Sequence, residues 1–319
     1  MNSFKKISII VPFYNESQSI EFFYDAICLV LDSIEKINFE IICIDDGSSD
    51  DTLIKLISIT QKDKRFSVLE LSRNFGKEAA LTAGIDIATG DAVIPIDADL
   101  QDPPKLIVQM IQEWRKGAEI VLARRVDRSS DSFLKQKTAM YFYRLHNKLS
   151  SVKIPENVGD FRLMDRVAVE ALKQLPEQHR FMKGLFAWIG FKTVTLDYVR
   201  NQRVKGDTKF SGWKLWNFAL EGITSFSAAP LKFWTYIGGI GALFTIFYAL
   251  FIIFRTLIYG IELPGYASLM VAILFFGSLQ LVSVGILGEY VGRIYMESKN
   301  RPVYIIRKKY KNDMDKNDT

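Results

Sequence analysis

Two stretches late in the chain restrict its fold more than any other feature. Phe233 to Phe254 runs for 22 residues without a charge, and Leu263 to Gly288 runs for 26. At about 1.5 Å per residue, a helix of either length crosses the roughly 30 Å hydrocarbon layer of a bilayer. Inside lipid only a helix or a closed barrel satisfies every backbone polar group. Two membrane spans are therefore expected, joined by a loop whose charges are Arg255 and Glu262. The 49% hydrophobic content of the 319 residues is an average over two unlike parts, because most of the excess lies after residue 232. Lys209, Lys214 and Lys232 precede the first span, and Arg293, Lys299, Arg301, Arg307, Lys308, Lys309 and Lys311 follow the second. The positive-inside rule places both flanks, and with them both termini, in the cytoplasm. Trp213, Trp216, Phe218 and Phe226 suit a helix lying in the membrane interface just before the spans. Gly238, Gly239, Gly241, Gly277, Gly285 and Gly288 permit close helix contact and so allow a homo-oligomer.

The earlier part of the chain reads as a soluble α/β domain. Short apolar runs, Ile7–Val11, Phe39–Ile44, Phe66–Leu71, 92–97 and Ala118–Ala123, alternate with helical patterns. Strands that are apolar throughout, separated by helices, indicate a mostly parallel sheet covered on both faces. Phe191–Tyr198 reads as a further strand, and Asp165 as the cap of a helix over 166–175. In such sheets ligands lie beyond the carboxyl ends of the strands. Polar clusters fall at those ends: Asn15 and Glu16, Asp45 and Asp46, Arg73 and Asn74, Asp97 and Asp99, and Arg124.

The most specific of these is Asp97-Ala98-Asp99-Leu100-Gln101, which follows the apolar run 93–96. Two carboxylates at i, i+2, with Gln101 continuing the spacing, offer hard oxygen ligands for Mg2+ or Mn2+ held on a phosphate-bearing ligand. The plainer alternative is a solvated acidic turn in which Asp102 caps a helix with Pro103 in its first turn. Arg200, Arg203, Lys205 and Lys209 around Gly206 suit a loop that closes on an anion. No glycine-rich dinucleotide fingerprint follows the first strand and no Walker-type Gly-Lys-Ser loop occurs. A net charge of +5 is too small to argue for nucleic acid. Cys28 and Cys43 have no metal-ligand spacing and fit apolar positions of a reduced domain. The start runs directly into a strand, with no signal-peptide pattern expected. Arg73 and Arg124 read equally well as ion-pair partners or ligand contacts, while His146 and His179 read as surface or packing residues.

Taken in order, these motifs resemble the family 2 (GT-A) glycosyltransferases that act on polyprenyl phosphate, among them dolichyl-phosphate mannose synthase and the bacterial undecaprenyl-phosphate sugar transferases. The markers are Val11-Pro12-Phe13-Tyr14-Asn15-Glu16, Asp45-Asp46-Gly47-Ser48, Ser72-Arg73-Asn74-Phe75-Gly76-Lys77, the Asp97–Gln101 stretch, Gly159-Asp160-Phe161-Arg162, and Arg203 through Gly206 to Thr208-Lys209. The resemblance covers about 7–310 and is closest to the two-span branch that makes polyprenyl-phosphate glucose for O-antigen or wall modification. It departs from the common pattern at Pro155-Glu156-Asn157-Val158, where many relatives carry an Asp, and at Thr208, where a Ser is usual.

The resemblance implies a GT-A, Rossmann-like catalytic domain over 1–210, an interfacial helix over 211–231, a transmembrane hairpin over 232–292 and a basic cytosolic tail over 293–319. Pro12, Tyr14, Glu16 and Asp45 would hold the nucleotide's base and ribose. Asp97, Asp99 and Gln101 would hold the metal on the diphosphate. Arg203 and Lys209 would bind the lipid phosphate or the departing diphosphate, and Asp160 would contact sugar hydroxyls or orient the acceptor. The implied reaction is inverting transfer of glucose from UDP-glucose to undecaprenyl phosphate at the inner (plasma) membrane. Alternatives are the same reaction with GDP-mannose or a UDP-linked amino sugar or pentose, and, from another class, a non-catalytic membrane scaffold keeping a vestigial nucleotide fold.

Overall fold

The computed structural model describes residues 5–126, 155–178, 180–199, 229–259 and 265–311. Residues 127–154, the basic loop at 200–210, most of the interfacial segment 211–231, Glu262, both histidines and the chain after 311 lie outside them.

The apolar runs form β1 (Lys5–Phe13), β2 (Ile37–Asp45), β3 (Phe66–Leu71), β4 (Ala92–Pro95) and β5 (Ile120–Arg125). Between them run α1 (Ile20–Leu31), α2 (Thr52–Lys62), α3 (Lys77–Ile87) and α4 (Leu106–Arg115). β6 (Val158–Asp165), α5 (Arg166–Lys173), α6 (Met182–Trp188) and β7 (Thr193–Tyr198) follow. The eight-stranded sheet is completed by β8 (Ile306–Tyr310), in the order β7-β5-β6-β4-β1-β2-β3-β8. β1 pairs in parallel with β2 and β4, β2 with β3, and β5 with β7. Only β6 and β8 run against the rest.

Burial on both faces explains why the strands show no polar alternation. In β1, Ile7, Ile9, Val11 and Phe13 pack under α1, α2 and α4, while Ile10 packs under α3 on the opposite face. Each fully buried side chain of this size contributes about 1.5–3 kcal/mol. Gly84 lets α3 lie directly on the sheet, since a Cβ there would sit 2.4 Å from Ile10 Cγ2 and 2.8 Å from Ile44 Cδ1. That close approach carries the start of α3 to the carboxyl edge of the strands.

Val158–Asp165, not read as a strand from the sequence, is inserted between β4 and β5. Two other local readings are modified. Residues 306–310, expected within a basic tail, form β8 against β3, so the sheet draws on chain beyond 210. Asp102 does not cap α4, whose N-cap is Lys105; its carboxylate instead accepts a hydrogen bond from the Tyr198 hydroxyl. Asp165 does cap α5, accepting from the Val167 N–H at 3.0 Å.

α7 (Ala229–Tyr259) and α8 (Tyr266–Ser298) carry the two charge-free stretches. Among the described residues they are the two helices long and apolar enough to cross a membrane. Their apolar side chains face outward; Phe247, Leu257 and Leu281 are 68%, 78% and 75% exposed. The end of α8 is nonetheless fastened to the α/β domain. The Gln178 N–H donates to the Glu297 carboxylate at 3.1 Å, and the Tyr304 hydroxyl donates to Asp86 at 2.8 Å.

Candidate active site

The loops that leave β1, β2 and β3 are tied to one another at the carboxyl edge. Asn15, at φ +52°, donates its N–H to Ser48 Oγ at 3.0 Å and accepts from the Ser49 N–H at 2.8 Å. The Glu16 N–H donates to Thr52 Oγ1 at 2.9 Å, and the Glu16 carboxylate accepts from Ser19 Oγ. Asp46 is the hub of the next loop, accepting from the N–H groups of Phe75 and Gly76 and from the Asn74 amide at 2.7, 2.9 and 3.0 Å. Gly47 makes this approach possible. Its φ is +67°, and a Cβ there would lie 2.5 Å from the Arg73 carbonyl carbon and Asn74 nitrogen.

Within this frame Asp45 is buried, with Oδ2 accepting from the Ser48 N–H at 3.3 Å and Oδ1 buried without a partner among the described residues. An orphaned carboxylate oxygen at a strand end is an acceptor suited to a ligand donor such as a hydroxyl or imide N–H. Burial raises the Asp45 carboxyl above its ordinary value, the Ser48 bonds oppose this, and the nearby charges of Glu70 and Asp50 add to it. Pro12 is half-buried and Tyr14 is 41% exposed at the same edge.

The acidic stretch after β4 departs from an extended strand. β4 ends at Pro95, and Leu100 takes φ +56°, so the chain turns between the two aspartates and Gln101. Asp99 Oδ1 accepts from the Gln101 N–H at 3.2 Å. Asp97 and Asp160 meet at one ammonium: Lys77 Nζ lies 2.7 Å from Asp97 Oδ1 and 2.7 Å from Asp160 Oδ2. Asp160 Oδ1 is buried with no partner among the described residues. Among the described residues no group of three or more His, Cys, Asp and Glu surrounds one ion position. Asp97, Asp99 and Gln101 could supply oxygens to a hard divalent cation, whose remaining positions would fall to phosphate oxygens and water.

Electrostatics around Asp160 are dense. Burial alone would raise its carboxyl, but the charges of Lys77 and Lys183, the Lys77 hydrogen bond and Arg162 hold it well below the usual carboxylate range. Burial opposes the charge on Lys77, yet Asp160 and Asp97 keep its ammonium well above the usual value. Burial, with the Asp160 charge second, pushes Glu78 up to about 8; Lys77 and Lys183 oppose this, and the carboxylate also accepts a hydrogen bond from the Met182 backbone. Arg162, buried in β6, donates to the Gly159 carbonyl at 2.6 Å and stacks over Phe186, 3.9 Å from guanidinium carbon to ring centre.

Of the residues singled out in the sequence, Pro12, Tyr14, Glu16 and Asp45 lie on the β1–β2 side of this edge. Asp97, Asp99, Gln101 and Asp160 lie on the β4–β6 side. Arg203 and Lys209 are outside the described residues. Arg124 is a strand-to-strand ion pair with Asp197 at 2.7 Å, and Arg73 folds over the Phe75 ring. Sequence reasoning assigned no role to Lys77, Glu78 or Lys183. Lys77 stood in a quoted marker, but nothing local indicates that the starts of α3 and α6 converge on Asp160.

A mostly parallel sheet covered by helices on both faces, with carboxylates gathered at the strand ends, defines a nucleotide-binding type of α/β enzyme domain. The family model described as glycosyl transferase family 2 matches residues 8–173. The chain belongs to that family, and it is a glycosyltransferase with the expected GT-A, Rossmann-like sheet. It is 52% identical over 303 residues to the prophage bactoprenol glucosyl transferase homolog of Escherichia coli (strain K12), covering 95% of this chain and 99% of that one. It is 53% identical over 302 residues to the bactoprenol glucosyl transferase of Shigella phage SfV, covering 95% and 98%. Among solved structures, glucosyl-3-phosphoglycerate synthase from Mycobacterium tuberculosis, in complex with Mn2+, UDP-glucose and phosphoglyceric acid, aligns over 69% of this chain and 78% of that one, with 21% identity and a TM-score of 0.46.

Proposed function

We propose that this chain transfers a glucosyl group from UDP-glucose to the phosphate of a polyprenol carrier, undecaprenyl phosphate, at the cytoplasmic face of the inner membrane. The observation that carries the reading is the physical continuity between the site and the apolar hairpin. α8 ends on Gln178, and the chain returns as a strand of the same sheet that bears the acidic edge. This continuity supports a site for a soluble nucleotide sugar beside a lipid-facing element, as transfer to a membrane-resident acceptor requires. The names of the Escherichia coli and Shigella phage relatives, bactoprenol glucosyl transferases, support the same acceptor and sugar.

In this reading Asp45 accepts from the nucleoside through its open Oδ1, with Pro12, Tyr14 and Glu16 lining the base and ribose. Asp97, Asp99 and Gln101 would hold Mg2+ or Mn2+, a group that would neutralise charge on the departing nucleoside diphosphate. Lys77 pairs with the Asp97 carboxylate and would share it with the cation. Arg203 and Lys209 bind phosphate, an assignment that rests on sequence alone. The phosphate monoester attacks the anomeric carbon in a single displacement through an oxocarbenium-like state, which inverts the anomer. A phosphate monoester is already anionic at neutral pH, so no strong base is needed. Asp160, held ionised by its cationic neighbours, orients sugar hydroxyls.

Incubating membranes containing the full chain with a panel of nucleotide sugars and undecaprenyl phosphate, with and without Mg2+ or Mn2+, tests all of this. Cation-dependent formation of undecaprenyl-phosphate glucose from UDP-glucose is the expected result. Transfer from another donor alone, or to no lipid phosphate, overturns it.

A further inference from the structure

β8 reaches into the nucleoside side of the site. It pairs with β3 in the register Val68↔Tyr310, Leu69↔Lys309 and Glu70↔Lys308, and the Ser72 N–H donates to the Ile305 carbonyl at 2.9 Å. Ser72 immediately precedes the Arg73–Gly76 loop that Asp46 holds. Glu70, buried in β3, is directly opposite Asp45 in the β2–β3 register. Two buried carboxylates facing each other on neighbouring strands are a destabilising arrangement unless one is otherwise engaged. Here both Glu70 oxygens are committed to β8. Oε2 accepts from the Tyr310 hydroxyl at 2.8 Å, and Oε1 lies 3.2 Å from Arg307 Nη1. Asp45 is the carboxylate left with an open oxygen. The Glu70 charge also acts on Asp45, and that of Asp45 on Tyr310, so the three groups form one electrostatic unit.

We propose that Glu70, Arg307 and Tyr310 are positioning residues for donor binding: the strand that returns from the membrane-length helices engages the Glu70 carboxylate and so leaves Asp45 directed at the nucleoside. The inference rests on the reading of Asp45 as a nucleoside contact. It makes affinity for the soluble donor depend on the segment that follows the membrane hairpin. Neither Arg307 nor Tyr310 touches the donor in this account.

The test uses the full-length chain in membranes, with UDP-glucose and undecaprenyl phosphate as the varied substrates. Removing the two β8 partners together, Arg307→Gln with Tyr310→Phe, is expected to raise KM for the donor about fivefold to twentyfold, with KM for the lipid and kcat within about twofold. Adding Glu70→Gln to that pair is expected to bring donor KM back to within about twofold of Glu70→Gln alone, because the uncompensated charge is gone. Tyr310→Phe by itself removes one hydroxyl and leaves the strand intact, so it gives a reading even if the pair folds poorly; a rise of about threefold is expected. An unchanged donor KM in Tyr310→Phe and in the pair overturns the inference. So does a defect that Glu70→Gln does not relieve, or one that falls equally on both substrates. A wild-type chain that does not use UDP-glucose at all refutes the functional reading instead, and the two failures are told apart by that control.

Discussion

The two sides of the carboxyl edge hold their acidic groups by different means. On the β1–β2 side, Asp45 and Asp46 are fixed by backbone N–H groups and short side chains of loops that are themselves tied together. On the β4–β6 side, Asp97 and Asp160 are held by Lys77, a long side chain that keeps 43% of its surface exposed. Backbone donors cannot swing away, whereas an ammonium on a four-carbon stem can. On the proposed function, the first side would frame the part of the substrate that stays put, and the second would exchange partners as charge arrives and leaves at the bond that breaks.

Four substitutions sharpen or break that contrast. The largest effect is expected for Asp99→Asn, which should lower kcat by about a thousandfold, as loss of several kcal/mol of charge stabilisation implies. Binding of UDP to the frame should change by only about threefold in a cation-free titration. Full turnover by this variant would remove Asp99 from the site.

Asp46→Ala deletes three acceptor contacts in the frame. It should raise donor KM about tenfold and lower Tm by several degrees while kcat falls much less. An equal loss in kcat would mean that the frame also shapes the reacting end.

Glu78 supplies a pH test. Its folded pKa of about 8 lies above the ordinary 4.5. A group raised in this way contributes stability that is fully present below about 4.5 and is lost as pH rises through about 8. Glu78→Gln should therefore flatten the decline of Tm over roughly pH 5 to 8, leaving the variant at least as stable as wild type at the upper end. Asp160 has the opposite sign, since its stabilising contribution is present above the ordinary 3.8 and fades only as pH falls through its lowered value. A slope that is unaltered in Glu78→Gln would show that the carboxyl is not buried as described.

The smallest effect is expected for Arg124→Ala. Its partner Asp197 is on the exposed face of β7, so turnover should stay within about twofold of wild type. A large loss would make Arg124 a ligand contact after all.

The frame was more legible in the sequence than the exchanging side, for a physical reason. β1 to β5 are largely apolar runs, and their ends are marked by the polar clusters that proved to sit at the carboxyl edge. β6 was not legible, because it carries Gly159, Asp160 and Arg162, and a buried arginine is tolerated there only through the Gly159 carbonyl and the Phe186 ring. β8, Ile-Arg-Lys-Lys-Tyr, has the charge density of a surface tail. On an edge strand the same charges discourage pairing with other chains. Lys77, Glu78 and Lys183 come together only because Gly84 seats α3 on β1 and β2 and the Met182 backbone meets Glu78, contacts with no sequence signature.

The position of β8 in the chain has a consequence for biosynthesis. The other seven strands are translated before the apolar hairpin, and the eighth only after it. During synthesis the earlier strands can assemble first, but the outer edge of β3 stays bare until both long helices have left the ribosome. If the long helices enter a bilayer as proposed, the finished sheet is a product of membrane insertion as much as of folding in water, and a nascent protein stalled before its last helix would display an unpaired strand edge open to rescue or degradation.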